Sequence, residues 1–476
     1  MSKKIIIEKN QLTTRLAYLI EDEFVQFHVD SILEPNLQNK IVIGQVMQVV
    51  KNLNAVFVDY GDEKNGMLHF KQIPDAYQNK VQVGYRLPVQ IVKQNIGDKG
   101  HKLTSKLNLM GRYLICLPFE TGINISKKIT CNTWRETLKV HLLEITENDF
   151  GFIVRTHAEE VPFEEIIEDA KDLIQQAKQI LEQSKFLSKG SILYEEPSAS
   201  LQIITEHISK KEALEIVCND QHFLAYLKEI SRHYPHHEDI KWTLCNEGHT
   251  LFSCYMLQKK IDELLKRKIW LKNGGNLVID YTEAMTIMDV NSAKAIVTKN
   301  PEKMVLTLNK EATKEAILQM LRRNLSGIII VDLVEMKHIE HKEIIFEYAK
   351  MLLEQYGDKR TKVYPLTELG LLQFSRTKKY QCIPHQLLES CPSCRMSYAK
   401  ESFLQEMIAV ENQMKALDLE EGEKQPVFLE VHAEYYEFLK HGPVISLLEA
   451  AYPIKIQLKK SESNENKKIL CQFYQR

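Results

Sequence analysis

The sequence lacks a long apolar run. Nowhere in its 476 residues do apolar side chains persist for the roughly eighteen positions a membrane-spanning helix requires. Its first ten residues offer only Ile5, Ile6 and Ile7 in succession, too few for the apolar core of a signal peptide. The expectation is a soluble, cytoplasmic protein with no membrane span. An excess of positive charge is missing too. The formal net charge is −2, so any surface that binds nucleic acid must be a local one. The cysteines form no framework. Nine are scattered, at 116, 131, 218, 245, 254, 382, 391, 394 and 471, an odd number that argues against a disulfide scaffold. There is no internal repeat and no low-complexity tract. What remains is an ordinary globular composition, 44% hydrophobic and 26% charged. A chain of this length has room for two to four domains.

Between residues 40 and 105 the signals are short strands and turns: IVIGQV at 41–46, NAVFVDYG at 54–61, GML at 66–68 and VQIV at 89–92. Five short strands punctuated by glycine suggest a small barrel of OB type. Residues 164–186 repeat apolar side chains at helical spacing, through Ile166, Ala170, Leu173, Ile174, Ala177 and Ile180. A loop at 188–200 reads as a domain boundary. From about Leu265 the pattern becomes strand, strand, helix, strand, helix, an α/β layer arrangement. A helix over 403–417 then precedes a short α+β tail. There, residues 461–466 read as a hairpin tip between Ile454–Ile456 and Ile469–Cys471.

Two aspartates stand at the ends of apolar strands. One closes Thr286-Ile287-Met288-Asp289 and the other Ile328-Ile329-Ile330-Val331-Asp332. If the strands are neighbours, their carboxylates can share one magnesium ion, which prefers oxygen ligands and keeps waters for a substrate phosphate. Such an ion polarises the phosphate and activates water. Asn291, two residues past Asp289, lies on the same side if the strand continues, and its amide can donate to a phosphate or position a water. The bland alternatives are helix caps and surface salt bridges.

Cys391-Pro392-Ser393-Cys394 has the spacing of a zinc knuckle. No second pair completes four ligands. His341 and His385 are candidates to do so. Otherwise two chains share the zinc, or the thiols are a redox pair or simply buried. In the barrel, Phe57 and Lys99 suit base stacking and phosphate contact, against a core phenylalanine and a surface lysine. Arg155 and Thr156, after the apolar strand 151–154, suit a terminal phosphate, against an ordinary surface ion pair.

Taken together, NAVFVDYG at 54–61, FIVRT at 152–156, AMTIMDVNSA at 284–293, LNKEA at 308–312, GIIIVDLVEM at 327–336, GLLQFSR at 370–376 and CPSC at 391–394 resemble the ribonuclease E/G family of bacterial endoribonucleases, its short G-type members above all. The resemblance implies a multidomain α/β and α+β fold. Residues 1–35 and 201–264 would form an RNase H-like domain, interrupted by an OB-fold RNA-binding barrel (36–118) and a 5′-sensor region (119–200). A DNase I-like catalytic domain (265–388), a zinc link (389–397) and a small C-terminal domain (398–476) would follow. It also implies magnesium on Asp289 and Asp332, with Asn291 assisting at the scissile phosphate. Cys391 and Cys394 would share zinc across a homodimer, or a dimer of dimers. Phe57 and Lys99 would bind RNA, and Arg155, Thr156 and Arg360 would hold a 5′-monophosphate. The implied activity is hydrolysis of single-stranded, A/U-rich RNA to 5′-phosphate and 3′-hydroxyl ends, in ribosomal RNA maturation and messenger decay. The sequence departs from the family pattern at Met67, Asn124, Lys294 and Glu368, and at Arg395-Met396-Ser397 after the cysteine pair. Lost charge and an altered sensor motivate the alternative, a catalytically weak RNA-binding or scaffold protein.

Overall fold

A computed structural model describes residues 2–33, 37, 39–62, 64–93, 100–127, 129–146, 149–155, 158–159, 161–210, 212–232, 234, 237–245, 250–282, 284–292, 301–389, 400–415, 425–461 and 469–473. They form two compact units, Met1–Pro35 with Ser198–Arg476, and Asn36–Pro197. The chain enters the first unit through strands β1 (Lys3–Lys9), β2 (Thr13–Ile20) and β3 (Glu23–Ser31), an antiparallel meander. Alternation sends Ile5 and Ile7 into one core and Ile6 into another, so both faces of β1 are covered.

The second unit begins with β4 (Ile41–Val50), β5 (Ala55–Asp59), β6 (Gly66–His69), β7 (Arg86–Lys93) and β8 (Lys102–Thr104). Pairing runs β4-β5-β6-β8-β7 and back from β7 to β4, which closes a five-stranded barrel of OB-like form. Val56, Val58, Leu68, Val89, Ile91 and Leu103 fill it. Gly44 is required here, because a Cβ on it would come within 2.4 Å of a Val58 methyl. Next come β9 (Leu109–Met110), β10 (Leu114–Leu117), β11 (Gly122–Ile125) and β12 (Gly151–Val154), in the order β11-β12-β10-β9. The helix Phe163–Gln183 buries Ile166, Ala170, Leu173, Ile174, Ala177 and Ile180 in this region's core. Its buried face also carries a carboxylate, Asp169, which accepts the backbone N–H groups of Arg112, Tyr113 and Leu114 at 3.0, 2.8 and 3.0 Å. Strand β13 (Ile192–Tyr194) returns to pair with β4.

Back in the first unit, β14 (Leu214–Cys218) and β15 (Ile240–Leu244) extend the meander with parallel pairing, giving the order β15-β14-β1-β2-β3. A six-stranded sheet follows: β16 (Lys268–Trp270), β17 (Asn276–Tyr281), β18 (Met285–Asn291), β19 (Gly327–Asp332), β20 (Thr361–Tyr364) and β21 (Leu371–Arg376), ordered β16-β17-β18-β19-β21-β20. Within it only β18 and β19 pair in parallel, and a parallel pair needs a crossover. The helix Pro301–Arg322 provides it. With the helix Ile339–Gln355 it shares one core with Leu277, Ile279, Met288, Ile329, Val331, Leu372 and Phe374.

Strands β22 (Leu388–Glu389) and β23 (Lys400–Glu401) pair, and the helix Phe403–Lys415 follows. The tail holds β24 (Gln425–His432), β25 (Ile454–Ser461) and β26 (Ile469–Phe473) in the order β25-β24-β26. The hairpin expected between β25 and β26 is therefore wrong. Strand β24 lies between them, parallel to one and antiparallel to the other. Its Val427, Leu429 and Val431 are fully buried, so it takes the central place. Among the described residues, no helix is long and apolar enough to cross a membrane.

Candidate active site

Strand β18 alternates strictly. Thr286, Met288 and Val290 are buried, while Ile287, Asp289 and Asn291 are exposed. On β19, Ile329 and Val331 are buried and Asp332 is exposed. The parallel register sets Asp289 directly beside Asp332. Paired residues of adjacent strands point to the same face, with backbones about 4.8 Å apart. Two carboxylates thus stand side by side at the ends of their strands, on the face turned away from the helices. The Asn291 amide donates to Asp289 Oδ2 at 2.6 Å. An amide nitrogen has two hydrogens, so a second donor and the amide oxygen are left for a ligand. Among the described residues neither aspartate caps a helix or forms an ion pair, and Asp332 accepts no hydrogen bond. The two bland alternatives have no counterpart there. Paired anions without a counter-cation repel each other, and oxygen donors in this arrangement suit a hard divalent cation.

The helix Pro301–Arg322 holds the loops around the pair. Asn309 is fully buried and grips Val334, two residues beyond Asp332, at both backbone groups. Its Nδ2 donates to the Val334 carbonyl at 2.8 Å, and its Oδ1 accepts the Val334 N–H at 3.1 Å. Two residues on, Glu311 accepts the N–H groups of Lys272 and Asn273 in the turn between β16 and β17. That turn reaches Gly275, where a Cβ would lie 3.0 Å from the Asn291 carbonyl and 2.8 Å from a Leu308 methyl. Only glycine lets the turn approach Asn291 so closely. Asn309, Glu311 and Gly275 were missed as site residues by sequence reasoning. The available signal was an asparagine inside an otherwise helical run, where its propensity is poor.

On the barrel, Phe57 is half-buried and faces outward, opposite Met67 on β6, which in turn pairs with Lys102 on β8. Phe57, Met67 and Lys102 form one row on the outer surface. Lys99 and Lys294 lie outside the described residues. Arg155 donates from Nη1 to the carbonyls of Gly111 (3.1 Å) and Arg112 (3.3 Å), while Thr156 lies outside the described residues. Asn124 is exposed on β11, and Glu368 is exposed with its carbonyl accepting from Lys342. Arg360 belongs to the other unit than Arg155. It pairs with Asp358 (3.4 Å) and lies 5.7 Å from the Tyr380 ring. Its Nη1 is buried and has no hydrogen-bond partner among the described residues. Cys391 and Cys394 lie outside the described residues, and among the described residues no three His, Cys, Asp or Glu side chains gather as metal ligands. Of the two histidines considered beside them, His341 packs against His338 (5.3 Å between ring centroids) and His385 against Tyr281 (5.6 Å).

The sequence profile of the Ribonuclease E/G family matches residues 108–379, more than half of the chain and the whole of the aspartate site. The chain belongs to the Ribonuclease E/G family. Membership makes it an endoribonuclease. Ribonuclease G of Salmonella typhimurium is 28% identical over 412 residues, 83% of each chain. Ribonuclease G of Haemophilus influenzae is 29% identical over 398 residues, 80% of each chain. Ribonuclease E of a Synechocystis species is 28% identical over 408 residues, which is 83% of this chain and 59% of that longer protein.

Proposed function

We propose that this endoribonuclease hydrolyses single-stranded RNA at Asp289, Asp332 and Asn291, in RNA processing and decay. The in-register carboxylate pair, with the Asn291 amide on Asp289, carries the reading. The two aspartates fit magnesium, which when bound supplies charge neutralisation at the phosphate and a more acidic water. Asp289 orients the Asn291 amide. The remaining Asn291 N–H donates to a non-bridging phosphate oxygen as negative charge builds there. Water adds to phosphorus and the bond to the 3′ oxygen breaks. That oxygen takes a proton and leaves as a 3′-hydroxyl, and the downstream fragment keeps a 5′-phosphate.

The finer features rest on the family resemblance with partial support from side chains. Phe57 on the barrel surface offers a stacking ring. Arg155 and Arg360, whose Nη1 has no partner among the described residues, each carry a donor suited to a 5′-monophosphate. The sheet order β3-β2-β1-β14-β15 is compatible with an RNase H-like assignment. Zinc shared through Cys391 and Cys394 in a homodimer rests on the family resemblance together with the spacing of the pair. It predicts about half a zinc per chain by metal analysis, the stoichiometry of one four-ligand site filled by two chains.

The deciding experiment offers a 5′-monophosphorylated, A/U-rich oligoribonucleotide with magnesium to the wild type and to the Asp289→Asn, Asp332→Asn double variant. Magnesium-dependent products with 5′-phosphate ends, lost in the variant, support the reading. Equal cleavage by both proteins refutes the site. Salt-sensitive RNA binding without cleavage by the wild type identifies a scaffold instead.

A further inference from the structure

Beyond the aspartates, the open face of the same sheet carries an aromatic and a cation that have no part in the chemistry above. β16 is an edge strand, paired only with β17. Its Ile269 is buried, and its Lys268 and Trp270 are exposed on the other side. The register places Trp270 beside Asn276, which pairs with Asn291, and Lys268 beside Val278, which pairs with Asp289. Trp270 therefore shares a row with Asn291, and Lys268 shares one with Asp289 and Asp332. Two strand spacings, about 10 Å, separate Trp270 from Asn291 and Lys268 from Asp289, and a third spacing lies between Asp289 and Asp332. That distance falls within reach of the nucleotides flanking a phosphate held at Asp289 and Asp332.

A tryptophan 65% exposed at a sheet edge is an expensive surface residue. The Lys268 ammonium sits 4.3 Å from the centroid of its ring, which holds the indole and adds positive charge beside it. An aromatic face with an adjacent lysine matches the chemistry of single-stranded RNA, a stacking base joined to a phosphate. Between these two side chains and the site lie the buried Asn276, in the row of Trp270, and the half-buried Val278, in the row of Lys268. Glu311 fixes the turn that follows Trp270, so the ring is carried on a held element.

We propose that Trp270 and Lys268 form a substrate subsite, in which a base next to the scissile phosphate stacks on the indole and its phosphate meets the lysine. The proposal rests on the reading of Asp289 and Asp332 as the reaction centre. It adds a specificity and positioning element contributed by strand β16.

The test has two arms on the full-length protein. In the first, single abasic nucleotides are walked through one cleavable RNA, with Trp270→Ala and Trp270→Phe compared to the wild type. Stacking predicts one position near the cleaved bond where base removal slows the wild type about tenfold but leaves Trp270→Ala unaffected. Trp270→Ala raises KM for the intact RNA by a similar factor and changes kcat little, Trp270→Phe restores most of the loss, and Lys268→Gln lowers the salt slope of binding by about one. An identical abasic profile in wild type and Trp270→Ala overturns the subsite. The second arm needs no cleavage. The chain has three tryptophans, and RNA added without magnesium should quench a component of their fluorescence that Trp270→Phe lacks. Equal quenching in both proteins overturns the proposal, as does a Trp270→Ala variant that changes only the oligomeric state by light scattering. Persisting Trp270 quenching in a protein that never cleaves RNA would instead remove the catalytic reading and leave a binding surface.

Discussion

Replacing Asp289 by asparagine separates a metal-binding carboxylate from a structural one, because the two roles predict opposite changes in stability. The strand register brings two negative charges to about 5 Å. Coulomb's law gives about 3 kcal/mol of repulsion at an effective dielectric of 20, and about 0.8 in bulk water. Both side chains are exposed, so the lower value applies, about 1 kcal/mol. The asparagine still accepts from Asn291, at a small loss for the missing charge. Without metal, Asp289→Asn should match the wild type or exceed it by up to about 1 kcal/mol. With magnesium the order reverses. A bound ion at ten times its dissociation constant stabilises the wild type by about 1.4 kcal/mol and the variant hardly at all. Cleavage should fall at least about a hundredfold. The assay is thermal unfolding with chelator and across a magnesium titration, run beside cleavage of a fixed RNA. A variant clearly less stable in chelator, or equal stabilisation of both proteins by magnesium, refutes the shared-cation reasoning.

Other outcomes follow from the same geometry. Asn309→Ala leaves the Val334 N–H and C=O without partners, which should cost about 2–3 kcal/mol and reduce kcat, while magnesium still stabilises the protein. A normal kcat in that variant would remove Asn309 as a positioning residue. Acid should destabilise the first unit through His28 and His207. Burial lowers both pKa values, that of His207 to about 3, so both stay neutral when folded and take up protons when unfolded. Their contribution is complete above about pH 6.5 and is lost as pH falls toward 3, at about 1.4 kcal/mol per pH unit for each histidine. Urea midpoints at pH 7, 6 and 5 for wild type and His207→Phe, which keeps a ring against Tyr18 (4.1 Å), isolate this from Glu411. Burial raises the Glu411 pKa and gives that group the opposite slope. Phe57→Ala on the barrel should weaken RNA binding by about 1–3 kcal/mol without altering magnesium stabilisation, measured by anisotropy of a labelled oligoribonucleotide.

The local signals were legible wherever the physics is local. The apolar runs that end at Asp289 and Asp332 foretold both strands, and the alternation along 285–291 follows from the fixed period of two in a strand. The helix between them followed from its spacing, and the glycine-punctuated strands of the barrel from turn chemistry. Strand pairing is a different matter. The turn signal at 461–466 marked where two strands end and begin, yet β24, thirty residues earlier, lies between them. A turn's composition carries no information about a third strand.

By itself, then, the sequence singled out the residues proposed to bear the chemistry. Asp289, Asn291 and Asp332 stand at strand ends whatever the strands pair with, and their flanking motifs belong to one nuclease family. Only the tertiary structure decided that β18 and β19 are parallel neighbours in a register that puts the two carboxylates side by side. It alone set Asn309 on Val334, Gly275 against Asn291, and Trp270 in the row of Asn291. Those contacts join residues from 16 to 25 positions apart. They arise from the burial of β18, β19 and the crossover helix in one core, which no local pattern encodes.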